Sequence, residues 1–306
     1  MKIHTVIVTY NATRNNWIRK CLASLESSTV QSEIIVIDNA STDQTTEIIK
    51  KEFPKIKLIE SQVNSGFGKA NNIGISEALK SDTDFVFLLN QDAWVEPDTI
   101  EKLRNAADKS PDFGIISPIH LNGNGNTLDF NFSKQIAPSS CPMLYSDFVL
   151  GKVENKVYET KFVCAAAWLV SKECLRKVGG FNPTFYHYAE DDNYVHRLHY
   201  KGLKIGIYPQ TKIYHDRQER EKSSFDSREE LMKRSLLLKV SNPNLYHSLK
   251  NELNILKNKR WKARLLNDKI YQKQLNGQIQ VLEQNHQSIQ GNLSLIKGNE
   301  EYLFLD

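Results

Sequence analysis

The residues best suited to chemistry follow one apolar run. Residues 85–89 read FVFLL and lead directly into Asn90, Gln91 and Asp92. Consecutive apolar residues of this kind predict a strand buried on both faces, and open α/β sheets bind ligands at the carboxyl ends of such strands. The three polar residues are therefore a candidate site for a divalent cation and a diphosphate. Taken alone, they are also ordinary turn formers before Pro97.

Two other apolar runs, at residues 3–8 and 34–37, also end in polar groups. The polar residues at these two ends are Thr9, Tyr10, Asn11, Asp38 and Asn39. The carboxyl ends of parallel strands lie side by side, so three polar strand ends favour one shared ligand site over three separate turns.

A third group of candidate residues lies near the middle of the chain. Glu190, Asp191 and Asp192 follow an aromatic stretch at residues 185–188 and begin a predicted helix. Acidic residues suit a helix N-terminus, where the backbone N–H groups are unpaired, so capping accounts for them as well as catalysis does. His215 follows a predicted strand and is unremarkable by itself.

The elements that must position these residues alternate between strand and helix. Apolar periodicity predicts helices over residues 14–28, 43–53 and 69–80, between four strands. This order predicts βαβ units around a parallel sheet. Residues 127–160 show no clear pattern, and a long insertion of this kind is more often functional than idle.

The composition changes after about residue 219, where glycine becomes rare and leucines recur at helical spacing. Nine Lys or Arg residues face two acids between Lys239 and Lys273, and Trp261 lies among them. A basic amphipathic helix with an embedded Trp predicts contact with a membrane surface, although a solvated helix face explains the same residues. Residues 270–297 predict one polar helix that packs on a partner or frays.

The bulk composition excludes several classes of protein. The 306-residue chain has a formal net charge of +4, which is too small to predict nucleic-acid binding. Its four cysteines lack metal-type spacing, so we expect reduced thiols that serve packing. No apolar run approaches the ~20 residues of a membrane span, and the residues before the first strand are too few for a secretory leader. We therefore expect a cytoplasmic protein.

The order of motifs resembles that of family 2 glycosyltransferases with the GT-A fold, in the bacterial branch of rhamnosyltransferases and other makers of surface polysaccharide. The matching segments are residues 6–11, 36–43, 64–74, 87–92, 179–191 and 209–215. The resemblance implies an α/β fold of GT-A type, with a Rossmann-like, mostly parallel sheet flanked by helices. It covers about residues 3–216. We accordingly expect a glycosyltransferase domain at residues 1–218 and a helical C-terminal extension at residues 219–306.

The same resemblance implies a set of contacts with a nucleotide-sugar donor. The expected donor-binding residues are Thr9, Tyr10, Asn11, Asp38, Asn39, Gly66, Asn71, Asn72, Asn90, Gln91 and Asp92. Asp38 would accept the N–H of a uracil or thymine ring, as a carboxylate suits a pyrimidine donor. The sequence leaves the UDP- and dTDP-sugars open as donors.

The resemblance further implies a cation, a base and an acceptor site. Asp92 and His215 would bind Mg²⁺ or Mn²⁺, which neutralises the departing diphosphate. Asp191 would be the general base, and a single displacement would invert the anomeric carbon. The expected acceptor contacts are Trp168, Tyr188 and Glu190, although core packing explains Trp168 equally well. The acceptor would be a saccharide or lipid-linked molecule, reached at the inner face of the cell membrane.

Two residues depart from the family pattern. Asn90 replaces the first acid of the metal motif, and Asn193 stands where close relatives tend to have an acid. The second departure leaves Asp192 open as the base beside Asp191. Both departures also admit a non-catalytic subunit of the same fold that binds a nucleotide sugar or polysaccharide. An oxidoreductase is disfavoured, because the glycines at residues 66–68 follow the third strand and lack the third glycine of the dinucleotide motif.

Overall fold

The computed structural model describes residues 1–217, 224–246 and 248–306. Its strands are β1 (Ile3–Thr9), β2 (Glu33–Asp38), β3 (Lys57–Glu60), β4 (Phe85–Leu89), β5 (Ala93–Val95), β6 (Phe113–Asn122), β7 (Tyr158–Glu159), β8 (Ala167–Ser171) and β9 (Lys204–His215). Its helices are α1 (Trp17–Glu26), α2 (Thr45–Glu52), α3 (Phe67–Leu79), α4 (Thr99–Asp108), α5 (Phe130–Gln135), α6 (Pro142–Leu150), α7 (Lys172–Val178), α8 (Glu190–Tyr200), α9 (Arg228–Ser241), α10 (Leu249–Leu265), α11 (Lys269–Gln284) and α12 (His286–Lys297).

One sheet runs through the molecule in the order β3-β2-β1-β4-β8-β6-β9-β5, and β7 pairs with β9. The first four strands are parallel, and β1 lies between β2 and β4. The three polar strand ends predicted to meet therefore do lie next to one another at the carboxyl edge of the sheet.

The remainder of the sheet is mixed, which differs from a mostly parallel arrangement. Strand β8 is antiparallel to both β4 and β6. The reason is the path of the chain: β8 begins with Ala167 paired to Leu89, at the edge where β4 ends. A strand that enters from that edge must run back against its neighbours.

The alternation of side chains along the strands divides the core into two layers. Val6 and Val8 face a layer that contains Ala70 and Ile75 of α3, whereas Ile7 faces a layer that contains Ile18 of α1. Successive side chains of a strand point to opposite faces, so both faces of a fully apolar strand must be covered by helices. This explains the continuous burial of β1 and β4.

The C-terminal helices form a third apolar cluster. The predicted single helix at residues 270–297 is two helices, α11 and α12, and its expected fraying or packing on a partner is wrong. Leu275, Ile279 and Leu282 are buried within this chain. The same cluster includes Phe185, so the extension packs directly beside the start of α8. The expected domain boundary at residues 218 and 219 involves residues outside the described part of the chain.

The last residues of the chain return to the part of the fold that contains the sheet. The N–H of Gly180 donates to the carbonyl of Leu303 at 2.7 Å, and the N–H of Asp306 donates to Ser76 Oγ at 3.1 Å. Gly179 has a φ of +81°, and a Cβ there would lie 2.0 Å from the Leu303 carbonyl oxygen. The tail is therefore fitted closely against α3 and the end of α7. Across the described residues, we find no helix long and apolar enough to cross a membrane.

Candidate active site

An open cleft of about 1960 Å³ lies at the carboxyl edge of the sheet. Its floor is formed by the ends of β1, β2 and β4, and its walls by the start of α8 and by α9. The predicted site residues that line it are Tyr10, Asn11, Asn39, Gly66, Asn90, Gln91, Asp92, Tyr188, Glu190 and Asp191. The structure thus brings most of the predicted site together in one place.

The end of β1 presents an aromatic ring to the cleft. Gln91 Oε1 accepts the backbone N–H of Tyr10 at 2.7 Å, and Gln91 Nε2 donates to the Tyr10 carbonyl at 3.1 Å. This pair of bonds fixes the backbone of Tyr10 while its side chain remains 46% exposed. A ring held in this way is a suitable surface for stacking a planar base.

Thr9 and Asp38 lie behind the cleft wall. Thr9 Oγ1 donates to Asp38 Oδ1 at 3.0 Å, and the Ser41 N–H donates to Asp38 Oδ2 at 2.9 Å. Asp38 is only 3% exposed, so its carboxylate shapes the loop after β2. This geometry does not favour the direct contact with a pyrimidine ring that we expected of Asp38. Asn39 does line the cleft. Asp43 lines it too, although the sequence had not indicated it as a site residue.

Asn71 and Asn72 were expected to contact the donor, but both are buried in structural roles. Asn72 Nδ2 donates to the carbonyl of Phe181 at 2.8 Å, and Asn72 Oδ1 accepts the Phe181 N–H at 2.7 Å. Asn71 Nδ2 donates to the Phe67 carbonyl at 3.0 Å. Asn72 therefore ties α3 to the segment before α8, with both ends of its amide engaged.

Trp168, an expected acceptor contact, lies in the core and outside the lining of the cleft. Its side chain is 0% exposed and packs against Phe181 and Tyr194, with ring centroids 6.1 and 5.6 Å apart. Its Nε1–H donates to the carbonyl of Val163 at 3.1 Å. The alternative reading as a core residue is correct. Gly66 lines the cleft, and a Cβ there would lie 2.0 Å from the Tyr186 carbonyl oxygen.

Strands β5 and β9 bring together the residues expected to hold a cation. Ala93 pairs with His215 across these strands. His215 Nε2 lies 3.5 Å from Asp92 Oδ1 and 3.5 Å from Asn90 Nδ2. Burial lowers the pKa of His215, but the carboxylates of Asp92 and Asp129 outweigh it and hold that pKa above its usual value.

Asp129 and Arg217 belong to this site, and the sequence reading missed both. Asp129 Oδ2 lies 3.5 Å from His215 Nδ1, on the side of the ring away from Asp92. Arg217 donates to both oxygens of Asp129, at 2.8 and 2.9 Å. Burial alone would raise the pKa of Asp129, but these bonds hold it well below its usual range. Asp129 lies in the insertion that showed no pattern, so no periodic signal pointed to it.

The residues present fit a divalent cation bound together with a diphosphate. Carboxylate, imidazole and amide groups converge at Asp92, His215 and Asn90, and Mn²⁺ accepts all three. Within the described part of the chain, Asn90 Oδ1 is buried and has no hydrogen-bond partner. No cluster of three His, Cys, Asp or Glu side chains that could hold a metal was found in the part of the chain that the structure describes. Phosphate and water would therefore complete the coordination, as is usual for Mg²⁺.

The three acids at the start of α8 form one wall of the cleft. Tyr188 and Ala189 adopt left-handed backbone with φ of 64° and 72°, which turns the chain sharply into the helix. Asp191 Oδ1 accepts the N–H of Asp192 at 3.0 Å, and Asp191 Oδ2 accepts that of Ala165 at 3.4 Å. The next residue, Ala166, accepts the N–H of Asn90 at 3.0 Å. Two consecutive residues therefore link Asp191 to the end of β4.

The negative charges of these acids affect the pKa values of their neighbours. Burial, and then the charge of Asp191, raise the pKa of Glu190 to about 8 and that of Asp192 to about 7. Burial also raises the pKa of Asp191, but the N–H groups of Asp192 and Ala165 stabilise its carboxylate. Of the two aspartates, Asp191 is thus the one with direct hydrogen-bond support for the charged form. Asn193 is 0% exposed and accepts from Arg197 Nε at 3.1 Å, so it faces the core.

The C-terminal extension completes the cleft. Arg234 of α9 places its guanidinium 4.8 Å from the ring centroid of Tyr188, and Phe225 packs against Tyr186 and His187. The charge of Arg234 opposes the rise in the pKa of Glu190 and Asp192. Among the described lining residues, seven carboxyl groups face three arginines. A bound diphosphate would therefore meet a net negative wall.

Similar proteins were found by sequence. The chain is 27% identical over 225 residues to the putative glycosyltransferase EpsH of Bacillus subtilis, which covers 70% of this chain and 60% of that protein. It is 24% identical over 234 residues to an N-acetylglucosaminyl-diphospho-decaprenol L-rhamnosyltransferase of Mycobacterium tuberculosis, over 69% and 74% of the two chains. The chain thus spans less than two thirds of EpsH.

Solved structures share the fold. S. aureus TarS 1-349 in complex with UDP aligns with a TM-score of 0.59 at 16% identity, over 100% of both chains. GalNAc-T7 with UDP, GalNAc and Mn²⁺ aligns with a TM-score of 0.57 at 17% identity, over 78% of this chain and 48% of that one. These likenesses establish the GT-A fold. The family model described as Glycosyl transferase family 2 matches residues 5–179, more than half of the chain. The protein therefore belongs to glycosyl transferase family 2.

Proposed function

We propose that this glycosyltransferase moves a sugar from a nucleoside-diphosphate sugar to a hydroxyl of a saccharide or lipid-linked acceptor, with inversion, in the synthesis of cell-surface polysaccharide. The observation that carries the proposal is the link from Asp191 through Ala165 and Ala166 to Asn90. It connects the carboxylate of Asp191, which accepts two backbone N–H groups, to the end of β4, where a diphosphate would lie. A base and a leaving-group site that line one cleft suit a direct displacement.

The donor is a UDP- or dTDP-sugar. The exposed ring of Tyr10 offers a stacking surface, and the polar groups of Asn11, Asn39 and Asp43 line the same end of the cleft. TarS was solved with UDP and with UDP-GlcNAc, which supports a pyrimidine nucleotide for this chain. Asp38 lies behind the cleft wall and holds the loop that carries Asn39 and Asp43.

The transfer depends on Mg²⁺ or Mn²⁺. Asp92 and His215 would hold the ion, with Asn90 beside them and the diphosphate completing the shell. When bound, such an ion neutralises charge on the departing nucleoside diphosphate. The ion is needed to offset negative charge, because carboxyl groups outnumber basic groups in the described lining of the cleft. GalNAc-T7 was solved with Mn²⁺, in agreement with this proposal.

Asp191 takes the proton of the acceptor hydroxyl, and the hydroxyl oxygen forms a bond to the anomeric carbon. The bond from that carbon to the diphosphate oxygen breaks, and the nucleoside diphosphate leaves. Glu190, with a pKa raised to about 8, is protonated at neutral pH and can donate a hydrogen bond to an acceptor oxygen. Tyr188 lies beside it, 37% exposed, and offers a face for the acceptor ring. These groups bind the acceptor, whereas Asp191 moves the proton.

The names of two relatives support the proposed acceptor and place of action. The mycobacterial relative is named for a diphospho-decaprenol acceptor, and TarS is named for poly(ribitol-phosphate). We place this chain at the cytoplasmic face of the cell membrane, as a peripheral protein, where a lipid-linked acceptor would be presented. The non-catalytic alternative loses one of its two supports, because Asn193 faces the core and not the cleft.

Release of nucleoside diphosphate tests this function. UDP- and dTDP-sugars are incubated with the protein and with saccharide acceptors, with and without Mn²⁺, and the freed nucleotide is measured. We expect metal-stimulated release from at least one pyrimidine donor, even as slow hydrolysis without acceptor. A protein that binds such a donor with Mn²⁺ but never releases nucleotide with any acceptor would be the non-catalytic subunit instead.

A further inference from the structure

The turn between α10 and α11 carries large apolar side chains in solvent. We call residues 257–273 the hairpin tip. Trp261, Leu265, Leu266 and Ile270 are 62%, 66%, 80% and 76% exposed. Single exposed apolar residues are normal on a protein surface, but four within ten positions at one protruding turn form a patch. A patch of this kind marks an interaction surface.

The patch is surrounded by positive charge. The tip contains seven basic residues and one acid, Asp268. The basic residues are Lys257, Lys259, Arg260, Lys262, Arg264, Lys269 and Lys273. Lys257 pairs with Glu283 at 2.9 Å, and the carboxylate of Asp268 caps α11 by accepting the N–H of Tyr271 at 2.9 Å. The tip therefore presents apolar side chains inside a strongly cationic rim.

The tip is an ordered feature of the fold. Ala263 is 3% exposed and packs into the C-terminal core. Its carbonyl accepts the N–H of Asp268 at 2.9 Å and Nε2 of Gln272 at 3.3 Å, which ties the end of α10 to the start of α11. The inward face of the turn is thus fixed, and the outward face has nothing left to cover it within the described chain.

We propose that the hairpin tip inserts into the headgroup region of an anionic lipid bilayer. Trp and Leu side chains enter the boundary between headgroups and acyl chains, while Lys and Arg pair with lipid phosphates. A second copy of this chain would bring an equally cationic tip, and the two would repel each other. Charge complementarity therefore selects the bilayer. The purpose of this contact, which is to bring the cleft to a lipid-linked acceptor, rests on the proposed function. The contact itself is argued from the exposed side chains and the charge around them.

Tryptophan fluorescence and co-sedimentation with vesicles test the insertion. The full-length protein is mixed with phosphatidylcholine vesicles or with vesicles that also contain about one quarter phosphatidylglycerol. We expect sedimentation and a blue shift in emission with the anionic vesicles only. Trp261 is the natural reporter, because Trp17 and Trp168 are 5% and 0% exposed and Trp94 is half-buried in a stack with Tyr214. Trp261→Phe should abolish the shift and retain most of the binding.

A matched pair of double variants assigns the contact to the tip. Leu265→Ser with Leu266→Ser should weaken vesicle binding ~10-fold or more. Val149→Ser with Leu150→Ser, on the exposed face of α6, removes side chains that are 69% and 62% exposed and should leave binding unchanged. Raising the salt from about 0.1 to 0.5 M should also weaken binding, because it screens the cationic rim.

Several results would overturn the proposal. One is equal sedimentation of the wild-type protein with neutral vesicles or with none. Another is loss of binding in the α6 variant while the tip variant keeps it. Self-association in solution that disappears in the tip variant would make the patch an interface between copies. None of these assays requires sugar transfer. A protein that binds vesicles but releases no nucleotide would therefore contradict the proposed function and leave the membrane contact standing.

Discussion

Asp191 and Asp192 are adjacent residues with different surroundings. Asp191 accepts two backbone N–H groups and is linked to the end of β4, whereas Asp192 receives neither support in the described structure. The sequence left both open as the base, since capping the helix and activating a hydroxyl use the same residue types. The hydrogen bonds, which join residues far apart in the chain, favour Asp191.

The first prediction separates these two acids. Asp191→Asn should lower kcat by about 10²- to 10⁴-fold, because it removes the proton acceptor. Donor affinity should change little, as Asp191 is proposed to touch the acceptor. Asp192→Asn is the matched control and should cost less than about tenfold. Initial rates and donor titrations measure both, and equal losses in the two variants would contradict the assignment.

The second prediction concerns pH and Glu190. A carboxyl pKa raised from 4.5 to about 8 means that the folded state binds the proton more tightly than the unfolded state does. Its contribution to stability is complete below the unfolded pKa and is lost as the pH rises through about 8. The free energy of unfolding should therefore fall across this window, by up to about 1.4 kcal/mol per pH unit.

Glu190→Gln supplies the comparison for that pH dependence, because its amide stays neutral. Urea unfolding between about pH 5.5 and 8.5 should give a flatter profile for the variant than for the wild type. If the unfolding free energies of the variant and the wild type fall equally with pH, Glu190 is not the group that loses a proton in this range.

At the scale of elements, the strand ends were predictable and the buried amides were not. A polar group after an apolar run marks a strand end in any sequence, and parallel neighbours then place the ends of β1, β2 and β4 together. The structural bonds of Asn72 gave no signal in the sequence, because its partner, the backbone of Phe181, lies 109 positions away. The burial of Trp168 matches the packing alternative, since an aromatic residue near a site is equally suited to packing. Long-range contacts decide both cases.

The third prediction tests the role of Asn72. Asn72→Ala leaves the N–H and carbonyl of Phe181 without partners in the core, and should cost about 2–4 kcal/mol of unfolding free energy. Asn71→Ala removes a single bond to the Phe67 carbonyl and should cost about 1 kcal/mol. Urea unfolding compares the two. A larger loss of donor affinity than of stability in Asn72→Ala would restore its predicted contact with the nucleotide sugar.

At the scale of the whole molecule, the C-terminal part is built into the site. Phe225 and Arg234 line the cleft, and the apolar cluster of the C-terminal helices includes Phe185. The sequence indicated helices after residue 219 from leucine spacing, but not which surface they would cover. The predicted division into a domain at residues 1–218 and a helical extension at residues 219–306 stays a prediction. The tail, which binds beside Gly179, left no periodic signal at all.

The fourth prediction uses two glycines to test the tail. Gly179→Ala adds a Cβ that meets the Leu303 carbonyl at 2.0 Å, on top of the strain of a φ of +81°. Gly202→Ala carries a similar φ of +75° with nothing within 4 Å of the added Cβ. The second variant should lose about 1–2 kcal/mol from backbone strain alone. The first should lose more and should become open to carboxypeptidase; equal losses would show that the tail is not held there.

The most direct test of the cleft as a cation-assisted nucleotide-sugar site is its melting temperature with ligands. UDP-sugars, dTDP-sugars and a GDP-sugar are compared with and without Mn²⁺, for the wild type, Asp191→Asn and Asp92→Asn. Ligand that binds only the folded state at about 100 times its Kd adds about 2.7 kcal/mol of stability. We predict a rise of several degrees with a pyrimidine donor and Mn²⁺ in the wild type and in Asp191→Asn, and almost none in Asp92→Asn. An equal rise without the metal, or in Asp92→Asn, would contradict the account.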